Sequence, residues 1–434
     1  MVGGSRLRAL RMDLGPFREH RDFRLLLIAG TVFYLGGMMT YVAIPYQIYQ
    51  LTHSNFAVGA VGLVELGPLI VFGLYGGALA DHVDRRLLLI WTGIAQAAFT
   101  TWLCINAFSD HPRLWEIFVV AGLLTSASAL QRPSREALLP RTVRHDELTA
   151  ANALSSFGMQ SGVLVGPTIG GLIVASAGPE WCFLVDIVGL FVASMMYAAM
   201  RRYPHVGETE APSLAGIGKG LRYALSRRDL LGTYLVDLAA MLLAMPVVLF
   251  PALAERVFGD PHLLGLLYSA ETIGALVATA SSGWTSRVHH HGRAIVLAAA
   301  AYGGFIALAG FSTSIWMAVF FFALAGGADM ISAVFRGTIW SQTIPDSLRG
   351  RLAGIEMLSY SVGPLGGQVR AGVVADRWTV RGSIISGGLS CVAGVTLTAL
   401  WLQDFWRYDE RTDEHAQAER AARRLAAERA EPRP

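Results

Sequence analysis

Residues 59–77 read GAVGLVELGPLIVFGLYGG and residues 265–283 read GLLYSAETIGALVATASSG. Laid over one another at an offset of 206 positions, Gly59, Glu65 and Gly77 fall on Gly265, Glu271 and Gly283. Each stretch is apolar over about 20 residues, enough for a helix rising about 1.5 Å per residue to cross roughly 30 Å of hydrocarbon. Each keeps one carboxylate at the same depth, and an ionisable group inside a span is costly enough to count as a functional candidate. A second match, at a shorter offset, sets Gly166-Pro167-Thr168-Ile169-Gly170-Gly171 beside Gly363-Pro364-Leu365-Gly366-Gly367. Two related halves with matched helices predict a transporter with a central site between them.

The rest of the chain agrees. Of its 434 residues 53% are apolar and 15% charged, with a mean hydropathy of +0.46; a soluble protein runs near a quarter charged. Apolar helices are predicted at 25–51, 58–80, 87–108, 114–130, 151–177, 181–200, 230–250, 263–284, 294–311, 315–336, 352–374 and 382–402. The first run is long enough to span and reads as a retained helix rather than a signal peptide. With the N-terminus inside, thirty basic residues, Arg336 among them, fall on inner segments, against Arg113, Arg256, Arg377 and Arg381 outside. This bias predicts a plasma-membrane protein with both termini cytoplasmic. The expected fold is all-α: a cytoplasmic segment 1–24, a six-helix bundle 25–200, a linker 201–229, a pseudo-symmetric bundle 230–403 and a tail 404–434. The tail, rich in Ala, Glu and Arg, reads as a solvated helix or a disordered end.

Other chemistries are excluded by what the sequence lacks. A net charge of +3 does not suggest a nucleic-acid partner. Cys104, Cys182 and Cys391 lie singly in apolar runs, without the spacing of a disulfide framework or zinc site. The only lysine, Lys219, has Ser213 where a phosphate loop needs its first glycine, so no ATP motor is expected. No HExxH or GxSxG occurs, so neither an enzyme nor a metal or other cofactor is expected, and His289, His290 and His291 read as a solvated run.

The loop Gly77-Ala78-Leu79-Ala80-Asp81-His82-Val83-Asp84-Arg85-Arg86 resembles the signature loop of the major facilitator superfamily. It departs from that pattern at His82, usually arginine, and Asp84, usually glycine. The resemblance implies a cytoplasmic gate of Gly77, Asp81, Arg85 and Arg86, with Asp81 facing a helix N-terminus and Arg85 holding its carboxylate. The runs Leu138-Leu139-Pro140, Ala151-Asn152-Ala153-Leu154 and Ile344-Pro345-Asp346 with Arg349-Gly350-Arg351 are similar to the drug and siderophore exporter branch, of enterobactin-exporter-like, drug:proton antiporter type. Gly162, Gly166, Pro167, Gly170 and Gly171 resemble the antiporter glycine motif, as a pliable seam between halves or as plain small-residue packing. That branch's arginine motif is missing from 114–130.

Glu65, Glu271, Asp237, Asp329 and Arg370 are the candidate cavity or proton-coupling groups, with structural hydrogen bonding as the alternative. Asp186 and Glu356 lie near predicted span ends and suggest capping or gating. Tyr34, Tyr46, Gln47 and Tyr49 suit a flat aromatic ligand, although interfacial anchoring explains the outermost equally well. The function expected is secondary active efflux of an amphipathic small molecule by a monomer in the lipid bilayer, exchanged for protons. The alternative is a proton-coupled importer on the same fold.

Overall fold

The computed structural model describes residues 13–203, 222–223, 225–344 and 346–421, with 74–82 and 346–360 described by backbone alone. Twelve long helices follow in order: α1 Arg21–Thr52, α2 Asn55–His82, α3 Arg85–Phe108, α4 Leu114–Thr142, α5 Leu148–Ala177, α6 Pro179–Ala199, α7 Arg228–Ala244, α8 Leu264–Ala280, α9 His291–Phe311, α10 Ile315–Thr343, α11 Asp346–Arg377 and α12 Val380–Trp401. Among the described residues eleven candidate spans are long and apolar enough to cross a bilayer. The protein is an all-helical, multi-pass membrane protein, the form in which backbone polar groups are satisfied inside hydrocarbon.

Local chemistry sets the helix ends. Asp84, where the familiar loop has glycine, caps α3 by accepting from the Arg86 amide at 2.9 Å. Thr379 caps α12 through the Gly382 amide at 2.9 Å. Gly178, at φ +106°, ends α5, and Pro179 opens α6. After Ala244, around Pro246 and Pro251, regular α-helix gives way to short 3-10 and π turns that run to Val257.

The chain packs as two compact units, Met1–Leu51 with Gly67–Pro212, and Thr52–Leu66 with Ser213–Pro434. In the first, α5 lies directly on α1. A Cβ at Gly162 would stand 2.7 Å from the Tyr34 Cβ, and one at Gly166 would stand 2.6 Å from the Met38 Cβ. In the second, α11 lies on α7 in the same manner: a Cβ at Gly367 would fall 2.2 Å from the Met241 carbonyl oxygen. The two matched Gly-Pro motifs thus do one job, each seating the fifth helix of its half on the first. The atoms nearest Gly162, Gly166 and Gly170 are those of α1, the close small-residue packing that is one of the two readings of this motif.

The first turns of α2 pack with the second unit, and Asp376 explains the attachment. Its carboxylate accepts from the Asn55 amide at 2.8 Å, the Phe56 amide at 2.9 Å, Asn55 Nδ2 at 2.9 Å and Ser54 Oγ at 2.6 Å. It serves as a helix N-cap delivered from the end of α11, a charge-assisted one. Gly372 leaves room for the Asn55 carbonyl, which a Cβ would meet at 2.3 Å.

The tail also departs from expectation. Beyond α12, Phe405 is fully buried, with its ring 2.3 Å from where a Gly232 Cβ would stand. Tyr408 and Ala416 are buried as well. The described part of the tail is therefore docked, because it carries apolar residues that find glycine-lined seats on α7 and α9.

Overpacking a helix seam costs about 1–3 kcal/mol or more. Gly166→Leu is expected to lower the unfolding midpoint in detergent by several degrees, whereas Gly304→Ala, where an added Cβ meets nothing within 4 Å, should leave it unchanged or raise it.

Candidate functional site

The second unit gathers most of the intramembrane charge. Along α10, Gly326, Asp329 and Arg336 lie three and seven residues apart, on one helix face. At Gly326 the face is open enough for α8 to approach closely: a Cβ there would stand 2.0 Å from the Glu271 carbonyl oxygen. One at Gly274 would meet the Ala323 carbonyl oxygen at 1.6 Å. This glycine contact sets Glu271 within electrostatic reach of Asp329 one turn further along.

Arg336 is 2% exposed and gives Asp237 of α7, itself 1% exposed, a contact of 2.8 Å. A second nitrogen lies 3.8 Å from Asp329, which keeps 35% exposure. Ser332 Oγ accepts at 3.4 Å, and Arg336 Nε has no hydrogen-bond partner. Glu271 is half-buried with Oε1 unbonded, and the buried Tyr302 hydroxyl, also unbonded, lies in the field of Glu271, Asp329 and Asp237. Arg370 is half-buried on α11, and its guanidinium occupies the space a Gly387 Cβ would take. Its electrostatic neighbour is Tyr302. Four of the five expected groups, Glu271, Asp237, Asp329 and Arg370, are thus brought around Arg336 or Tyr302. The fifth, Glu65, is half-buried on α2.

In the first unit, Arg135 of α4 donates to the Tyr34 hydroxyl and lies 4.5 Å from the centre of its ring. Gln47 is buried with Oε1 unbonded, and Tyr46 is half-buried. Asp186 sits on the third turn of α6 rather than near a span end. Buried at 3% exposure, it accepts from Thr40 Oγ1 at 2.6 Å, where Gly36 leaves it space. Arg86 donates to the Tyr197 carbonyl at 2.9 Å and to that of Ala198, so it holds the end of α6. Arg85 reaches the Ala137 carbonyl at 3.5 Å. Gly77, Asp81 and Glu356 lie outside the residues whose side chains are described.

A model of the family described as transmembrane secretion effector matches residues 12–431. The chain belongs to that family. The enterobactin exporter EntS of Salmonella typhi is 25% identical over 390 residues, covering 89% of this chain and 94% of the relative. EntS of Escherichia coli O81 (strain ED1a) is 25% identical over 391 residues, covering 89% and 93%. Among solved structures, a bacterial homolog to the human lysosomal transporter Spinster matches with a TM-score of 0.66 at 16% identity, covering 90% of this chain and 96% of that one. The nucleoside transporter NupG matches with a TM-score of 0.67 at 13% identity, covering 90% and 100%. The chain has the major facilitator fold and belongs to a family of transporters, not enzymes.

For this secretion effector two arginines change the sequence reading. Arg336, which the sequence alone places on an inner segment, is buried inside α10, which runs on to Thr343. The span taken to end at residue 130 continues to Thr142 and carries Arg132, Arg135 and Arg141. The seven-residue spacing from Asp329 to Arg336 was the available signal, since it stacks opposite charges on one face. For Arg135 the signal was the apolar pair Leu138-Leu139 beyond it.

Removing one partner of a buried ion pair costs about 3–5 kcal/mol, because the other charge is left uncompensated. Arg336→Gln and Asp237→Asn are each expected to destabilise the protein by amounts of that order. The double variant should lose clearly less than their sum in a thermal-unfolding cycle in detergent.

Proposed function

We propose that this transporter is a secondary active exporter that moves an amphipathic, drug- or siderophore-like small molecule out across the plasma membrane in exchange for protons. It acts as a monomer by alternating access, with both termini in the cytoplasm. The observation that carries the coupling is the charge count in the second unit. Asp237 and Asp329 share one buried guanidinium and Glu271 lies in the field of Asp329, so the three carboxylates outnumber Arg336 by two and a proton taken up at Glu271 removes one of the two surplus charges. One elementary charge crossing 100 mV is worth about 2.3 kcal/mol, enough for about a fiftyfold solute gradient.

In this reading Tyr34, held by Arg135, offers the substrate an aromatic face, with Tyr46 and Gln47 on the same helix. Arg370, whose Nε is buried without a hydrogen-bond partner, is the cation assigned to neutralise an anionic group. The loop of Gly77, Asp81, Arg85 and Arg86 is the inner gate. The glycines at 162, 166, 170 and 171, with Pro167, let α5 ride closely on α1 as the unit rocks. The basic asymmetry of the loops still supports cytoplasmic termini once Arg336 is set aside. The relation to exporters favours the outward direction over proton-coupled import.

The test is proton flux and counterflow in proteoliposomes with an imposed pH gradient, during a screen of siderophores and antibiotics. Glu271→Gln is expected to bind substrate but lose about tenfold or more of proton-driven transport, and Glu65→Gln is the parallel variant. Undiminished coupled transport by Glu271→Gln at equal protein would remove Glu271 from the coupling role. Counterflow inward along the proton gradient would establish the importer instead.

A further inference from the structure

The docked tail engages the three consecutive histidines that lead into the first turn of α9, which the sequence presents as a solvated run. His289 Nδ1 lies 2.9 Å from Glu410 Oε1, His290 Nδ1 lies 3.4 Å from Asp409 Oδ2, and His291 Nε2 lies 3.7 Å from Glu410 Oε2. The Glu410 amide donates to the His289 carbonyl at 3.2 Å. Gln342, in the last turn of α10, donates to Glu410 Oε2 at 2.8 Å.

This seat is built into the fold. The Phe405 carbonyl oxygen passes 1.8 Å from where a Gly292 Cβ would stand, so only glycine permits the tail to lie on α9 there. The Phe405 ring covers Gly232 of α7, and Arg228 at the start of α7 pairs with Asp404 at 2.6 Å. The tail therefore ties the ends of α7, α9 and α10, the three helices that carry Asp237, Tyr302, Asp329 and Arg336.

We propose that residues 402–420 form a pH-sensitive strap that docks on the His289–His291 loop, tightens as the compartment bathing it acidifies, and restrains the helices bearing the charged cluster. Docking stands on the contacts above. The restraint on transport, and the assignment of that compartment as the cytoplasm, rest on the proposed efflux function.

His291 Nε2 donates to the Val288 carbonyl at 3.0 Å, which leaves His289 and His290 as the imidazoles that meet the carboxylates most closely. Burial works against ionisation of Glu410, yet hydrogen bonds from His289 and Gln342 and the charges of His291 and Arg420 hold it below the usual carboxylate range. Hydrogen bonds from the Arg411 side chain and amide, helped by the charges of Arg411 and His290, hold Asp409 well below it. Both stay ionised from about pH 6 to 8, the window in which imidazoles exchange their charge. The other charges close by are fixed there: Arg411 and Arg420 on Asp409 and Glu410, Arg293 over Trp406, and Arg227 paired with Asp229. Asp413 adds a further carboxylate and His415 a further imidazole near α7. An imidazolium beside a carboxylate makes an ion pair where a neutral ring makes only a hydrogen bond, so the docked form binds more protons and gains on the free form as pH falls. An exporter that imports protons would then slow itself as they accumulate inside.

Spin labels at Ser286→Cys and Ala418→Cys, both exposed positions, report docking by pulsed dipolar distances in the full-length protein. The short-distance population is expected to fall at least about threefold from pH 6 to pH 8. His289→Gln/His290→Gln should flatten that response, and Asp409→Asn/Glu410→Gln should remove the short distance at both pH values. A population unchanged with pH, or an unchanged response in the histidine variant, overturns the strap. In proteoliposomes the carboxylate variant should turn over faster than wild type at an acidic interior and equally at an alkaline one. Equal rates at both overturn the restraint. Absence of transport by every protein would overturn the efflux reading, while the distances still decide the strap.

Discussion

Hydrocarbon offers no hydrogen bonds, and that constraint dictates most of this molecule. It forces the backbone into helices, and it makes a side-chain charge inside those helices costly unless the protein supplies a counterpart. The Asp237–Arg336 pair is the plainest case: both residues are nearly fully buried, in contact at 2.8 Å. Around it the remaining carboxylates are unevenly supplied, with Asp329 sharing the same guanidinium and Glu271 keeping one oxygen unbonded. The proposed coupling chemistry is a consequence of that uneven supply.

The duplicated architecture carries unlike chemistry in its two units. Both seat a glycine-lined fifth helix on a first helix, Gly162 and Gly166 on α1 and Gly363 and Gly367 on α7. Polar equipment differs. In the first unit the buried Asp186 leans on a threonine hydroxyl, and Arg135 rests on an aromatic ring. The second unit pairs arginine with acid. A common scaffold thus carries a guanidinium on an aromatic ring in one unit and a buried ion pair in the other.

The helices themselves were legible because a run of about 20 apolar residues has few other uses. Some of their ends were not, because a helix does not stop where its sequence turns polar. Reading α4 only to residue 130 hid Arg135, and ending α10 at Arg336 turned a buried charge into a loop charge. Glu271, Asp237, Asp329 and Arg370 were singled out by the cost of burying them, whereas the company they keep depends on Gly326 and Gly274, whose role is to be absent. Tail docking was likewise invisible: Phe405 and Glu410 meet Gly232 and His289 across long stretches of chain, and no local pattern records such a meeting.

The cap on α2 bears on how the chain is made. The amides of Asn55 and Phe56 are answered by a carboxylate some 320 residues downstream. A nascent polypeptide therefore enters the translocon with the start of its second span unfinished, and keeps it so until the eleventh has left the ribosome. Biogenesis of this transporter closes late, when nearly the last segment inserted completes nearly the first.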